Sequence, residues 1–480
     1  MSARQRTPRV TTLDCSDAIV SYAQEVVTAI RQGRIELTTW GQEEWRRGPD
    51  GIYRRQLIAK PFWGAGFHAH STSSPRYQAA AEAVRHDPDF GPIVGGVVGT
   101  PSSRTRFDEA TVINDALSAV ITPTGVARMD AHRVLGKIER LRKYLKGGTA
   151  SSTVVMPLPG LKCYRVPYKL DDNLEIDELT DAEVNACART GVLQSMFPSV
   201  PMLAADDCIG VRITIPMPVV IVPPGKESQG ITELDGLDGK SRRFGERSVL
   251  QFSALTEDVL FVLRLAGSEF IATHGVVHIH PAVLMGEAHS WSLRPTRPSF
   301  KTTYEIDRRR GVEIRRLWRQ LSARRSKGRT LPAICVRRFN AAIDRVSLDD
   351  AIVDYLIAAE ALFLKDAGSP EDRGELGFRL ALRAAHFLEA TGRDRRSTFK
   401  FVKRAYDLRS TVAHGGAPPD AISIAGRDKI PLHEFVDELG NLMRASLIRA
   451  TDEYAAHTDF ATGTYWDRML LSSGTTRRPS

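Results

Sequence analysis

The sequence predicts an α+β fold, in which a strand-rich mixed N-terminal region is followed by an all-helical C-terminal bundle. Up to about residue 300, short proline-punctuated apolar runs alternate with helical segments, and from about residue 305 helical segments follow one another. A chain of 480 residues is too long for one ordinary core, so we expect several parts. These are a mixed α+β region at 1–170, an α+β continuation with a basic connecting helix at 171–330, the helical bundle at 331–460 and a flexible tail at 461–480.

The N-terminal region combines predicted helices with predicted strands. Residues 17–33 and 131–148 space their apolar side chains three and four positions apart and end near glycine, which predicts helices. Apolar or alternating runs predict strands at 152–170, 211–215, 218–222 and 269–285. Because proline cannot donate to a strand ladder, prolines in these runs favour edge strands or irregular crossings. The pairing of the strands stays open.

The C-terminal region repeats a helical pattern. After the arginine-rich segment 306–329, five segments have helical spacing, at 331–345, 347–368, 371–392, 397–416 and 431–457. Ser347 stands where a helix N-cap belongs, and Gly415 stands where a helix C-terminus belongs. These patterns predict a helical bundle over 331–460.

Composition excludes several classes of protein. Nothing approaches the roughly 18 consecutive apolar residues of a membrane span, and no apolar stretch follows the basic N-terminus as in a signal peptide. The five cysteines are scattered without a CxxC spacing, which argues against a disulfide framework or a zinc site and predicts a cytoplasmic protein. The net charge of +9 favours an anionic partner.

No metal or cofactor is expected. His68 and His70, like His278 and His280, alternate as on one face of a strand, but no nearby cysteine or carboxylate spacing completes a set of ligands. The chain also lacks a P-loop, a dinucleotide-binding fingerprint and a GxSxG elbow.

The most informative stretch is YDLRSTVAHGG at 406–416, in which Arg409 and His414 stand five positions apart. RNA carries its own nucleophile, the 2′-hydroxyl. A histidine can act as acid or base near neutral pH, and an arginine can clamp the phosphate. Five residues of an ideal helix turn through about 500°, so the two side chains of one chain diverge by about 140°. A distorted helix or a second chain would bring them together.

A structural interpretation of this pair stays open. Arg409 would then form a surface ion pair, with Asp407 or a neighbouring helix, and His414 would only cap the helix end.

The C-terminal region resembles the ApeA-like branch of the HEPN family. The resemblance rests on VRRFNAAIDR, DDAIVDYLIAAEALF, ELGFRLALRAA and VKRAYDLRSTVAHGG, which occupy 336–345, 349–363, 375–385 and 402–416. It implies an all-helical, dimeric, metal-independent endoribonuclease whose R-x4-6-H motif forms a composite site across the dimer, as in toxin–antitoxin or antiphage defence systems. Arg409 and His414 match that motif, whereas Ser410 stands where many active members have Asn, Asp or His.

The resemblance leaves an alternative open, because some HEPN bundles bind nucleotides or partners without cleaving RNA. In that case the bundle would be a non-catalytic dimerisation or nucleotide- or RNA-binding module, and its basic surface would bind RNA or a partner. We expect RNA and a second copy of the chain as partners, and an unknown trigger or ligand at the N-terminal region, which would act as a sensor.

Further residues are candidates for supporting roles. Lys403, Arg404 and Ser410 are expected to contact the phosphates of the substrate, and Tyr406 either stacks on a base or packs between helices. Basic runs at 308–329 and 393–404 predict either a surface that follows the phosphates or solvated faces balanced by carboxylates.

Glu360 lies in an apolar helical stripe, where an unpaired charge is unfavourable. Glu360 either forms a buried ion pair that orients Arg383 or Arg409 or has a purely structural role.

Overall fold

The computed structural model describes most of the chain. The described residues are 14–36, 38–62, 65–100, 103–122, 125–147, 149–193, 202–204, 208–225, 254–279, 289–293, 303–325, 331–366, 375–426, 428–457 and 460–471. The fold is α+β, as the sequence predicts: strands concentrate in the N-terminal half, and the C-terminal part is helical apart from a pair of two-residue strands.

The first part of the chain builds a core of its own around helices. The helices are α1 Cys15–Arg31, α2 Ala65–Ser73, α3 Pro75–His86, α4 Glu109–Leu117 and α5 Ala131–Gly147. Apolar positions of α1, α3, α4 and α5 face one another in a cluster that includes Tyr22, Phe90 and Phe107. The predicted helices at 17–33 and 131–148 are thereby confirmed.

Strands up to residue 306 form several small sheets and one large one. The strands outside the large sheet are β1 Thr38–Arg47, β2 Tyr53–Phe62, β3 Val97–Thr100, β4 Ser103–Arg106, β6 Leu161–Cys163, β9 Met202–Leu203, β11 Val220–Val222 and β14 Tyr304–Ile306. They pair in the orders β1-β2-β9, β11-β3-β4 and β14-β6.

The large sheet has six strands: β5 Thr149–Pro157, β7 Tyr168–Asp171, β8 Leu174–Glu178, β10 Ile209–Pro218, β12 Gly275–Ile279 and β13 His289–Leu293. Their order is β13-β12-β5-β10-β8-β7, and all neighbours are antiparallel. The expected strands at 152–170, 211–215 and 218–222 belong to these elements. Of the strand expected at 269–285, residues 275–279 are extended, and 280–285 lie outside the described residues. Strands on both sides of residue 170 share this sheet.

Both faces of the large sheet are covered. Alternate residues of a strand point to opposite faces. Val154 and Val276 accordingly join the core shared with the helical bundle, whereas Val155 and Val277 pack with Trp45 on the other side. That other side is closed by the β1–β2 hairpin and by α6 Asp181–Arg189. The side toward the bundle is closed by a helix, α7, over residues 254–266.

The C-terminal part is a bundle that follows a long basic helix. Its elements are α8 Arg308–Arg325, α9 Ala333–Asp344, α10 Leu348–Phe363, α11 Leu376–Glu389, α12 Arg395–Ala413, β15 Ala421–Ile422, β16 Ile430–Pro431, α13 Leu432–Ala456 and α14 Gly463–Leu471. Ser347 caps α10 by accepting a hydrogen bond from the amide of Asp350, at 3.3 Å. All five predicted bundle helices are present, each within a few residues of its predicted span.

Two local expectations do not hold. The flexible tail expected from residue 461 instead begins with α14, because Trp466 is fully buried against Phe363 and Phe387. Residues 472–480 lie outside the described residues. His68 and His70 lie on helix α2 rather than on a strand. Residues two apart on a helix do not share a face, so the expectation that these two positions lie on one face of a strand is wrong.

One core runs from the large sheet into the bundle. The Arg264 side chain, 1% exposed, donates hydrogen bonds to the carbonyls of Ile271 and Asn340 and forms an ion pair with Asp344 at the end of α9. Helix α7 is thereby tied to the bundle. None of the helices among the described residues is both long and apolar enough to cross a membrane.

Candidate functional site

Helix α12 carries the Arg409–His414 motif. Asp394 caps its N-terminus by accepting a hydrogen bond from the Ser397 amide at 2.8 Å. Its inner face packs into the bundle through Thr398, Phe401, Val402, Ala405 and Leu408. The backbone remains helical to Ala413, where the His414 amide still bonds to the Ser410 carbonyl at 3.2 Å. Gly415, with φ of +81°, then turns the chain away, which confirms the predicted glycine at the helix end.

Arg409 is held on the side of α12 that faces α10. Its Nη2 lies 3.5 Å from Oε2 of Glu360, and the two side chains are 29% and 25% exposed. The guanidinium also lies 5.8 Å from the centre of the Tyr406 ring. The Glu360 contact is one of the two predicted alternatives. Burial raises the pKa of the Glu360 carboxyl, and the nearby Arg409 charge partly offsets this increase.

His414 has a different environment. The residue is exposed, and its ring makes no hydrogen bond or ion pair with any residue that the structure describes. Because α12 is helical up to its last turn, Arg409 and His414 of one chain diverge, as the helical angle predicts. One face of the helix therefore presents an anchored guanidinium, and its end presents an imidazole open to solvent.

The other candidate residues of α12 surround this pair. Lys403 is exposed, whereas Arg404 and Ser410 are half-buried. Tyr406 is half-buried and packs on α11 so closely that a Cβ on Gly377 would come within 2.6 Å of its ring. Packing between helices, one of its two predicted roles, is therefore the arrangement seen.

Arg383 does not take part in this group. It donates hydrogen bonds to both carboxylate oxygens of Asp366, at 2.6 and 2.9 Å, and to the Phe363 carbonyl at 2.7 Å. Its guanidinium also lies over the Trp466 ring, 5.3 Å from the ring centre. Arg383 lies on the buried face of α11, next to the C-terminal end of α10, so it secures that helix end. The expectation that Glu360 orients Arg383 is not met.

The basic runs are partly neutralised. On α8, Arg310 pairs with Glu269 at 2.8 Å, and Arg316 pairs with Glu313 and Asp452, both at 2.7 Å. By contrast, three exposed arginines of α8 form no ion pair within the described part of the chain: Arg308, Arg309 and Arg319.

The second basic run, before and within α12, behaves similarly. Arg395 pairs with Glu389, and the Lys400 ammonium donates to the Ala425 carbonyl at 3.0 Å. Lys403 has no ion-pair partner among the residues described. Each run therefore keeps some exposed positive charge.

Candidate metal ligands do not assemble in the described residues, which contain no group of three or more His, Cys, Asp or Glu suited to a metal ion. His278 lies on β12, and His280 is outside the described residues. All five cysteines are free, and burial raises the pKa of the Cys15 thiol to about 12. Such thiols are poor nucleophiles at neutral pH.

Comparison of the chain with known proteins found no match among family models, curated proteins or solved structures.

Proposed function

We propose that the C-terminal bundle is a metal-independent endoribonuclease of the HEPN type, with Arg409 and His414 as its catalytic residues. The observation that supports this proposal most is the arrangement on α12: a guanidinium anchored by Glu360 and, at the end of the same helix, an exposed histidine without a protein partner. An exposed imidazole can exchange protons with a substrate, whereas a histidine satisfied in the core cannot.

The proposed reaction is an internal transfer within RNA. The ring of one His414 removes the proton from a 2′-hydroxyl, and the oxygen attacks the neighbouring phosphorus. The bond from phosphorus to the 5′-oxygen breaks, and the imidazolium of a second His414 gives that oxygen a proton. Arg409 stabilises the charge that develops on the phosphate. The products are a 2′,3′-cyclic phosphate and a 5′-hydroxyl.

The site is proposed to be composite. Arg409 and His414 of one chain diverge on a regular helix, so one copy does not present them together. A homodimer that packs two copies of the bundle around their α12 ends would supply two histidines and two arginines to one cleft. It would also supply both the base and the acid.

Exposed positive charge supports RNA as the partner. Lys403 on α12 and unpaired arginines on α8 can neutralise phosphates, with Arg404 and Ser410 as additional contacts closer to the motif. An active ribonuclease would harm its own host, so we propose a regulated toxin or antiphage defence effector that acts in the cytoplasm. The N-terminal region would then receive the trigger.

A second candidate function is a non-catalytic dimerisation or RNA-binding module. It is favoured by the ion pair of Arg409 with Glu360, which gives Arg409 a structural role without any substrate. Ser410 beside the motif arginine supports the same alternative.

The experiment that tests the proposal is RNA cleavage by the purified full chain in EDTA, with analysis of the product ends. The variants are His414→Ala and, as a matched control, His433→Ala. His433 is likewise exposed on a bundle helix and has no partner among the described residues.

The proposal predicts EDTA-resistant cleavage that leaves cyclic phosphates, persists in His433→Ala and falls by at least about 100-fold in His414→Ala. Equal cleavage by the wild type and His414→Ala would contradict it. If the wild type cleaves nothing, growth arrest on overexpression distinguishes the two functions. Arrest that requires His414 supports the enzyme, and its absence supports the binding module.

A further inference from the structure

A cavity of about 300 Å³ lies where the segment 254–270 meets the helical bundle. Its lining combines charged and polar side chains with an apolar part formed by Ile343, Leu348 and Val436. The volume lies at the lower end of the range found for pockets that bind small molecules. The cavity is separate from Arg409 and His414, neither of which lines it.

Most charges of the lining are neutralised within the protein. The guanidinium of Arg264 pairs with Asp344, and that of Arg345 with Asp354 at 2.7 Å. Glu269 pairs with Arg310 at 2.8 Å. Although burial alone would raise the pKa of Glu269, the hydrogen bond from Arg310 lowers it, so this carboxylate stays ionised. Each of these ion pairs is neutral overall, so together they contribute little net charge to the cavity.

Unlike Arg264 and Arg345, Arg444 forms no ion pair with a described residue. Its Nε donates to the Arg264 carbonyl at 2.9 Å, and its Nη1 donates to Oδ1 of Asn441 at 2.5 Å. Its Nη2 has no hydrogen bond, and within the described chain no carboxylate lies within 4.0 Å of the guanidinium. Burial lowers the pKa of Arg444, but a guanidinium remains charged at any physiological pH. A half-buried cation without a counter-ion is thus directed at the cavity.

Tyr355 supplies a second unused donor. The residue is 6% exposed, and its hydroxyl makes no hydrogen bond to any described residue. Burial raises the pKa of this hydroxyl to about 12, so it keeps its proton. Gly440 faces it across the cavity wall, where a Cβ would lie 2.8 Å from the oxygen. This hydroxyl can therefore donate a hydrogen bond to an acceptor within the cavity.

We infer that this cavity binds a small organic anion whose carboxylate or phosphate oxygens accept hydrogen bonds from Arg444 and Tyr355. The Nη2 of Arg444 and the hydroxyl of Tyr355 make no hydrogen bond to a described residue, and the apolar part of the lining suits the organic body of such a ligand. Asp437, which is exposed and has no ion-pair partner among described residues, favours ligands of low charge. The inference does not depend on the proposed nuclease activity.

Calorimetric titration of the full chain tests the inference with three probes of similar shape: benzoate, phenyl phosphate and the uncharged benzamide. Arg444→Met removes the charge, and Tyr355→Phe removes only the hydroxyl, so the second variant remains informative if the first does not fold. Tyr454→Phe is the matched control, because its hydroxyl, on the same helix as Arg444, is also without a hydrogen bond to a described residue but lies outside the cavity.

We expect benzoate or phenyl phosphate to bind, and the stronger of the two identifies the anionic group. Arg444→Met should weaken binding by about tenfold or more, and Tyr355→Phe by about three- to tenfold, with Tyr454→Phe unchanged. The inference is overturned if neither anion binds at up to about 10 mM, or if benzamide binds as tightly. Equal binding by wild type and Tyr355→Phe would show that the Tyr355 hydroxyl does not contact the ligand. Equal binding by wild type and Arg444→Met would overturn the inference.

Discussion

Glu360 places a carboxylate in an otherwise apolar stripe of α10, where it forms an ion pair with Arg409. Two effects compete there: burial disfavours the charged carboxylate, and the guanidinium at 3.5 Å favours it. The pKa of Glu360 is raised, so burial is the stronger effect. The pair therefore orients Arg409 without adding stability at neutral pH, which is common for buried ion pairs.

Glu360→Gln tests this balance. A raised pKa in the folded state means that the carboxyl stabilises the fold at low pH and loses that contribution as pH rises. The loss begins near the ordinary value of 4.5 and continues above it. The variant should therefore match the wild type near pH 4 and exceed its free energy of unfolding by about 1 kcal/mol at pH 7. Denaturant unfolding at both pH values measures the difference.

The exposed Glu389, which pairs with Arg395 on the surface, provides the control for that prediction. Its change to Gln should alter the free energy of unfolding little at either pH. A Glu360→Gln variant that is less stable than wild type at pH 7 would show that the ion pair stabilises the bundle.

At this scale the sequence offered Arg409 as one of two possible partners of Glu360 and did not predict the partner of Arg383. A carboxylate in an apolar helical stripe requires a cation, and Arg409 lies on a helix predicted to pack in the same bundle. Asp366 lies beyond the end of α10 at Phe363, although it falls within the span 347–368 that the sequence predicts as one helix. The unpaired donors of Arg444 and Tyr355 also escaped prediction, because nothing in the sequence shows that their expected partners are missing.

Among the elements, α12 ends in a way that determines where His414 lies. Gly415 adopts a φ of +81°, which an alanine enters only with strain, and a Cβ there would contact nothing within 4 Å. Gly415→Ala should therefore lower the free energy of unfolding by about 1 kcal/mol through the backbone alone. Urea unfolding of the full chain measures this change.

Gly136 provides the opposite case within the helix α5. It lies in the helix interior, has no positive φ, and a Cβ there also meets nothing within 4 Å. Gly136→Ala should raise the free energy of unfolding by about 0.5 to 1 kcal/mol. If both changes alter stability in the same direction, backbone conformation is not the reason for either effect.

The elements themselves were predictable where a pattern was long. Helices such as α1, α5 and α10 repeat an apolar spacing over several turns, which is why the sequence predicts them, although α10 ends at Phe363 rather than near residue 368. Residues 67–70 alternate for only four positions, too few to distinguish a strand from the helix that forms there. Helix α14 is short and lies within the segment 461–480, which the sequence suggested was flexible.

At the scale of the whole molecule, the pairing of strands in the large sheet was the least predictable feature. β5 pairs with β10 and β12, so Val154 lies opposite Ile213 on one side and His278 on the other. Such pairings join residues far apart in sequence, and no local pattern encodes them. The resulting continuous core connects the sheet to the bundle.

The central claim at this scale is that two chains build one catalytic site. It is tested most directly by co-expressing wild-type and His414→Ala chains at a series of ratios and measuring RNA cleavage per total protein. With random pairing, a site that needs His414 from both chains predicts activity that falls as the square of the wild-type fraction, to about one quarter in an equal mixture. A linear fall, to about one half, would show that cleavage needs only one His414 per site and would contradict the proposed site with two histidines.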